Sequence, residues 1–224
     1  MGSLSAALWA DNADLVDAAL QHPFIRGVAD GSLPRQAFAH YVAQDAFFLE
    51  CFARSYALGV ARSRDRKTLD AFADLLDGAR QELHLHTGYA RRWGIDLGSV
   101  EPEPATLTYT DFLLATASLG GIGLICAAMT PCMRLYAHLG QRLATGGVSG
   151  PYEEWVAAYA DPGFEALAAR LEALLDEHGD DTAEVAAAYR RALQLEVDFF
   201  EAAASRPSRP AVEASGNGAQ RTAP

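Results

Sequence analysis

The sequence predicts an all-α fold, a compact bundle of seven or eight helices, on three observations. Half of the 224 residues are hydrophobic, enough for one contiguous core. Alanine and leucine dominate while β-branched residues are scattered, which favours helix over strand. Glycine or proline stands at the joins between apolar-periodic segments, and no alternating run of useful strand length occurs.

The first helical pattern covers residues 5–20, with Leu8, Leu15, Ala18 and Ala19 facing inward. His22-Pro23 interrupts it, because proline disfavours helical backbone in the residue before it. Pro34 suits the first turn of a second helix reaching about residue 63, where a missing N–H is no loss. Phe38, Tyr41, Val42, Asp45, Phe48, Leu49 and Phe52 follow the helical period there. A third helix spans roughly 65–93 and stops at Gly94, a glycine in the usual C-terminal position. After a loop with Pro102 and Pro104, Thr108 or Thr110 can cap a fourth helix that ends at Leu119. Gly120, Gly121 and Gly123 mark a bend before a fifth helix to about residue 144. A short helix at 152–159, another at 163–177 and a last long one at 182–204 complete the bundle. Residues 1–204 thus form one helical domain, and 205–224, rich in Ser, Pro, Arg, Gly and Ala without apolar period, form a disordered tail. No repeat at a solenoid period occurs, and in such a bundle sites project into the centre.

The formal net charge of −11 repels phosphate backbones and anionic lipid, so neither nucleic acid nor a membrane surface is an expected partner. Three cysteines, Cys51, Cys126 and Cys132, without C-x-x-C spacing argue against a disulfide framework or structural zinc and fit a reducing compartment. Residues 1–10 lack the basic and apolar regions of a signal peptide, and Ala6 stands where a myristoylation motif wants Ser or Thr. The apolar stretch 112–129 is broken by glycines and hydroxyl residues, which disfavours a membrane span. The expectation is a soluble, cytoplasmic protein.

Four groups of residues could carry chemistry. Cys132 follows Pro131, and Tyr136 lies four residues on, so thiol and phenol share a helix face. The bland alternative is a small buried apolar residue, the role also expected of Cys51 and Cys126. Asp45 sits on the apolar face of the second helix, where an ionised carboxylate is costly without a partner. It is either an anchor for a polar ligand or half of an ion pair or cap to another helix. Glu196 shares its face with Phe199 and Phe200; a carboxyl among aromatics can titrate near neutrality and act as general acid or base, or else lie at the stripe's edge with its head in solvent. Glu82 and His86 form an E-x-x-x-H pair, able to present two metal ligands or to form a helical ion pair. No glycine-rich phosphate loop and no G-x-S-x-G elbow is present, which removes the commonest nucleotide and serine-hydrolase chemistries.

Together these segments resemble the TenA/thiaminase II family. The resemblance is carried by His22-Pro23-Phe24, Asp30-Gly31-Ser32-Leu33-Pro34, Phe38, Tyr41 and Gln44-Asp45, then Pro131-Cys132 with Leu135-Tyr136. Tyr152 to Trp155, Ala158-Tyr159 and Glu196-x-x-Phe199-Phe200 follow in the family's order, and the match covers about residues 8–204. The resemblance implies a haem-oxygenase-like bundle without haem or other cofactor, assembled as a homotetramer. It implies that Asp45 holds the amino group and a ring nitrogen of a 4-aminopyrimidine, while Phe48 and Tyr159 sandwich the ring. Tyr109 and Tyr136 would line the pocket beside the nucleophile Cys132, and Glu196 would move protons. The implied reaction is hydrolysis of 4-amino-5-aminomethyl-2-methylpyrimidine to the hydroxymethylpyrimidine in thiamin salvage, with cleavage of thiamin as a further activity. Arg134 and Gly123 depart from the family pattern, which favours an aromatic and an acidic residue there, and Phe48 lacks the hydroxyl of a tyrosine. Alternatives on the same fold are a dinuclear-metal oxygenase built on Glu82 and His86, and a non-catalytic binder of thiamin-like molecules.

Overall fold

Asn12 and His22 cut the N-terminal segment into three helices in the computed structural model, which describes residues 2–95, 97, 100–147 and 150–205. The first, α1 (Leu4–Asp11), ends where the Asn12 side chain donates back to the Leu8 carbonyl, and α2 (Ala13–Gln21) starts directly after it. His22 then turns extended, and its Nδ1 accepts the Phe24 amide, capping α3 (Pro23–Asp30) with Pro23 in the first turn. Gly31, at φ 75°, closes that helix in the left-handed region that a side chain would resist.

The long elements follow the sequence expectation: α4 (Arg35–Arg62), α5 (Arg66–Trp93), α6 (Pro104–Leu119), α7 (Ile122–Thr145), α8 (Glu153–Ala160), α9 (Pro162–His178) and α10 (Ala183–Ala204). The described residues therefore form ten helices, not seven or eight. The difference lies in the N-terminal break at Asn12 and in α3, whose single buried stripe (Phe24, Ile25, Val28) is too short to register as a periodic pattern. The fourth expected helix also begins earlier, at Pro104; Thr108 and Thr110 do not cap it but bond back to the Pro104 and Thr106 carbonyls within it. Of the expected tail, 206–224 lies outside the described residues.

The centre of the bundle is α7, which packs against α9, α10, α8, α6 and α4. It is long and apolar enough to cross a membrane, but 72% of its most apolar window is buried inside the bundle, so its faces are already covered by protein. One polar tie and one aromatic stack link helices that surround it. Gln44 on α4 accepts from the Glu103 amide and the Thr106 hydroxyl and donates to the Glu101 carbonyl, pinning the start of α6. Phe24 of α3 stacks on Phe200 of α10 with centroids 5.5 Å apart. The candidate residues lie within these helices, Asp45 on α4, Tyr109 on α6, Cys132 on α7 and Glu196 on α10.

Candidate active site

Asp45, Cys132 and Glu196 come from α4, α7 and α10, three helices distant in sequence, and all three side chains are buried. Pro131 immediately precedes Cys132 inside α7; it has no N–H to give to the preceding turn. The Cys132 thiol shares a hydrogen-bonding interaction with the Glu196 carboxyl. Tyr109 of α6 donates its hydroxyl to Glu196 Oε1 at 2.7 Å. Glu196 is thus the meeting point of a thiol and a phenol, and it faces inward, not solvent.

The electrostatics follow from burial without a cation. Burial raises the Glu196 carboxyl to about 7, with the two hydrogen bonds opposing that rise. Burial, then the charge of Glu196 and that of Glu82, push the Cys132 thiol well above its ordinary value. The resting sulfur is therefore a thiol, not a thiolate, and its proton has an adjacent acceptor of suitable basicity. Burial likewise holds the hydroxyls of Tyr41, Tyr109, Tyr136 and Tyr159 protonated, as donors.

Around this centre the aromatic residues are densely connected. Tyr41 donates to the Tyr136 hydroxyl at 3.0 Å. Phe48 lies 4.8 Å from Tyr109 and 5.3 Å from Phe52 between ring centroids, and Tyr159 lies 4.7 Å from Tyr136. Tyr159 reaches that position because Gly140 lets α8 touch α7: a Cβ on residue 140 would stand 2.5 Å from the Tyr159 carbonyl carbon. All seven residues expected from the sequence, Asp45, Phe48, Tyr109, Cys132, Tyr136, Tyr159 and Glu196, are buried in this one region of the core.

Glu82 and His86 belong to the site in a way their spacing does not announce. They do not pair with each other. Glu82 Oε1 accepts from the Tyr159 hydroxyl at 2.7 Å, and burial raises this carboxyl also to about 7. His86 Nε2 approaches Asp45 Oδ2 at 3.1 Å with both side chains buried. Burial lowers His86 to about 4 and, together with the charge of Glu82, raises Asp45, so the contact joins an uncharged imidazole to a carboxyl and is no ion pair. Its angles make no hydrogen bond, and Asp45 Oδ2 and His86 Nδ1 are left as buried polar atoms without a partner. Such orphans are costly unless something else satisfies them. Among the described residues no group of three or more His, Cys, Asp or Glu converges as metal ligands would.

A family model described as TENA/THI-4/PQQC family matches residues 9–206. The chain belongs to that family. It is 33% identical over 215 residues to the aminopyrimidine aminohydrolase of Halalkalibacterium halodurans, covering 90% of this chain and 95% of that one. A TenA family transcription regulator from Silicibacter sp. has a similar structure, with a TM-score of 0.85 at 27% identity over 90% of this chain and 96% of that one. A domain of unknown function with a heme oxygenase-like fold from Shewanella denitrificans matches at TM-score 0.70 and 18% identity, covering 88% and 90%, a likeness of fold alone. The bundle thus has the haem-oxygenase-like fold.

Two of the departures from the TenA pattern are explained by packing outside the site. Arg134 turns to α9, where its guanidinium makes paired bonds to Glu165 and Glu172. Gly123 lies where the first turn of α7 meets the end of α9; a Cβ there would fall 2.2 Å from the His178 carbonyl oxygen, so no acidic side chain fits. Neither change alters a group that touches Cys132, Asp45 or Glu196.

A cavity of about 560 Å³ between α5, α8 and α9 adjoins the site. Tyr159 alone of the seven residues lines it. Its wall also includes Phe52, which contacts Phe48, His86, which contacts Asp45, and Met133, which follows Cys132. These side chains form the border that the cavity shares with the buried centre.

Proposed function

We propose that this chain hydrolyses 4-amino-5-aminomethyl-2-methylpyrimidine to ammonia and the hydroxymethylpyrimidine, and cleaves thiamin at the same methylene. The observation that carries the reading is the shared carboxyl of Glu196, between the Cys132 thiol and the Tyr109 hydroxyl, in a buried cluster with an unsatisfied Asp45 oxygen. An aminopyrimidine offers what that oxygen lacks: an amino donor beside a ring nitrogen, a planar pair that a carboxyl can meet with both oxygens. Phe48 and Tyr159 supply aromatic faces for the ring, and Tyr109 and Tyr136 supply hydroxyls at its edge.

The chemistry runs through sulfur. Cys132 adds to the electron-poor ring carbon next to the aminomethyl arm, forming a C–S bond as its proton passes to Glu196. The displaced ring electron pair is taken up at a ring nitrogen, which Glu196 protonates. That pair then returns to expel ammonia from the protonated arm, leaving an exocyclic methylene. Water adds at this carbon, giving a proton to Glu196 as the electron pair returns to the ring nitrogen. The C–S bond then breaks, Glu196 passes its proton to the departing sulfur, and the ring nitrogen releases its own to ammonia. Substrate with its protonated arm and water become alcohol and ammonium, with the enzyme unchanged. A carboxyl held near 7 is matched to both halves of this task, since it accepts and releases protons with little driving force either way.

The reading includes residence in the cytoplasm, resting on the cysteine usage, and assembly as a homotetramer, resting on the family resemblance; sedimentation tests the second. The activity is tested by incubating purified protein with the aminomethylpyrimidine and measuring ammonia. Stoichiometric release that vanishes in Cys132→Ser supports the mechanism, and full release by that variant defeats it.

A further inference from the structure

The E-x-x-x-H pair remains without a role in that chemistry, although it lies between the buried site and the 560 Å³ cavity. Glu82 lines the cavity, and its carboxyl is engaged by the Tyr159 hydroxyl, with no cation within ion-pair distance among the described residues. His86, one turn further along α5, also lines the cavity and points an unpartnered, buried Nδ1. Among the described residues no lysine or arginine contributes to the wall. The two other acids there are already occupied: Asp74 pairs with Arg170, and Asp161 accepts the Gly163 amide at the start of α9. The aromatic walls, Trp155, Tyr159 and Phe164, present faces that attract cations.

The proposed substrates share one feature that Asp45, Cys132 and Glu196 leave unrecognised. Each carries a positive arm on the ring, an ammonium in the aminomethylpyrimidine and a thiazolium in thiamin. With the ring among those three residues, the arm needs both room and a compensating charge, and a desolvated cation without one binds poorly. We infer that Glu82, bridged to the ring site through Tyr159, forms the subsite for this cationic arm, with the adjoining cavity accommodating arms as large as a thiazolium. The inference rests on the function proposed above. In this role Glu82 selects substrate over product, because the hydroxymethyl product has lost the charge.

The test uses full-length Cys132→Ser protein, in which turnover is blocked, titrated calorimetrically near neutral pH with the 5-aminomethyl and the 5-hydroxymethyl pyrimidines. The aminomethyl compound binds more tightly by roughly tenfold or more, the scale of a charge-assisted hydrogen bond. Adding Glu82→Gln, which keeps a carbonyl for Tyr159, abolishes that preference and leaves the hydroxymethyl compound within about twofold of its former affinity. A preference that survives Glu82→Gln overturns the subsite, as does an equal loss for both compounds, which would mark Glu82 as a support for Tyr159. Failure of the aminomethyl compound to bind the Cys132→Ser protein defeats the proposed function itself, and the subsite with it.

Discussion

Tyr109 and Cys132 converge on one carboxyl, that of Glu196, with the tyrosine hydroxyl 2.7 Å from Oε1. Burial raises this carboxyl, and that convergence restrains the rise, in the group proposed to move protons in the reaction. Tyr109→Phe removes a donor that stabilises the carboxylate, so the Glu196 pKa rises further from about 7. The acidic limb of the kcat/KM profile, where the carboxylate is lost, moves to higher pH, and kcat falls by roughly tenfold. An unmoved limb in the phenylalanine variant would detach Tyr109 from the proton transfer.

Glu196→Gln separates activity from stability. Without a titrating carboxyl, kcat falls by about 10²–10⁴. The folded protein holds the Glu196 proton up to about 7, against an ordinary value of 4.5, so native binds it more tightly than unfolded chain does. That contribution to stability is complete at pH below 4.5 and is lost as pH rises through about 7. Above this window the wild type carries a buried charge that the glutamine variant lacks. Thermal unfolding above pH 7 should therefore show the variant more stable by about 1–3 kcal/mol. A lower melting temperature there would contradict the assignment of a buried, reluctant carboxylate.

Cys132→Ser leaves the aminopyrimidine-binding groups in place and removes the sulfur. Turnover drops by roughly a thousandfold or more, while the pyrimidine still binds. Ammonia release and calorimetry on the same sample check both halves of the prediction; serine at wild-type rate would mean that water attacks directly.

Arg134→Ala breaks the bonds to Glu165 and Glu172 that join α7 to α9, leaving two partly buried carboxylates uncompensated. Stability falls by about 1–3 kcal/mol, seen as a lower denaturant midpoint. Because the guanidinium points away from the site, kcat/KM of the folded fraction stays within about twofold of wild type. A selective loss of activity would place Arg134 in the substrate's surroundings after all.

Helix type and most boundaries were legible because α4, α5, α7 and α10 each run through more than five turns of apolar periodicity. The breaks at Asn12 and His22 depend on side-chain bonds to backbone, which periodicity does not record. Asp45 and Glu196 stood out because each is a carboxyl on an apolar stripe. Cys132 had no such signal of its own and was picked out through the family's motif. Glu82 and His86 were visible as a pair, but their i, i+4 spacing suggested metal ligation or a mutual ion pair. Their actual partners, Tyr159 and Asp45, lie on α8 and α4, and only tertiary packing brings these together. Tyr41 follows the helical period in the sequence; its hydroxyl bond to Tyr136 needs two helices to be seen.

The central claim is that one flat heterocycle binds against Asp45, Cys132 and Glu196 together. A crystal structure of Cys132→Ser with 4-amino-5-aminomethyl-2-methylpyrimidine tests it most directly. The ring is predicted between Phe48 and Tyr159, its amino group on Asp45 and its reacting carbon facing residue 132. Density for the ring elsewhere, with Asp45 still unsatisfied, would contradict the account.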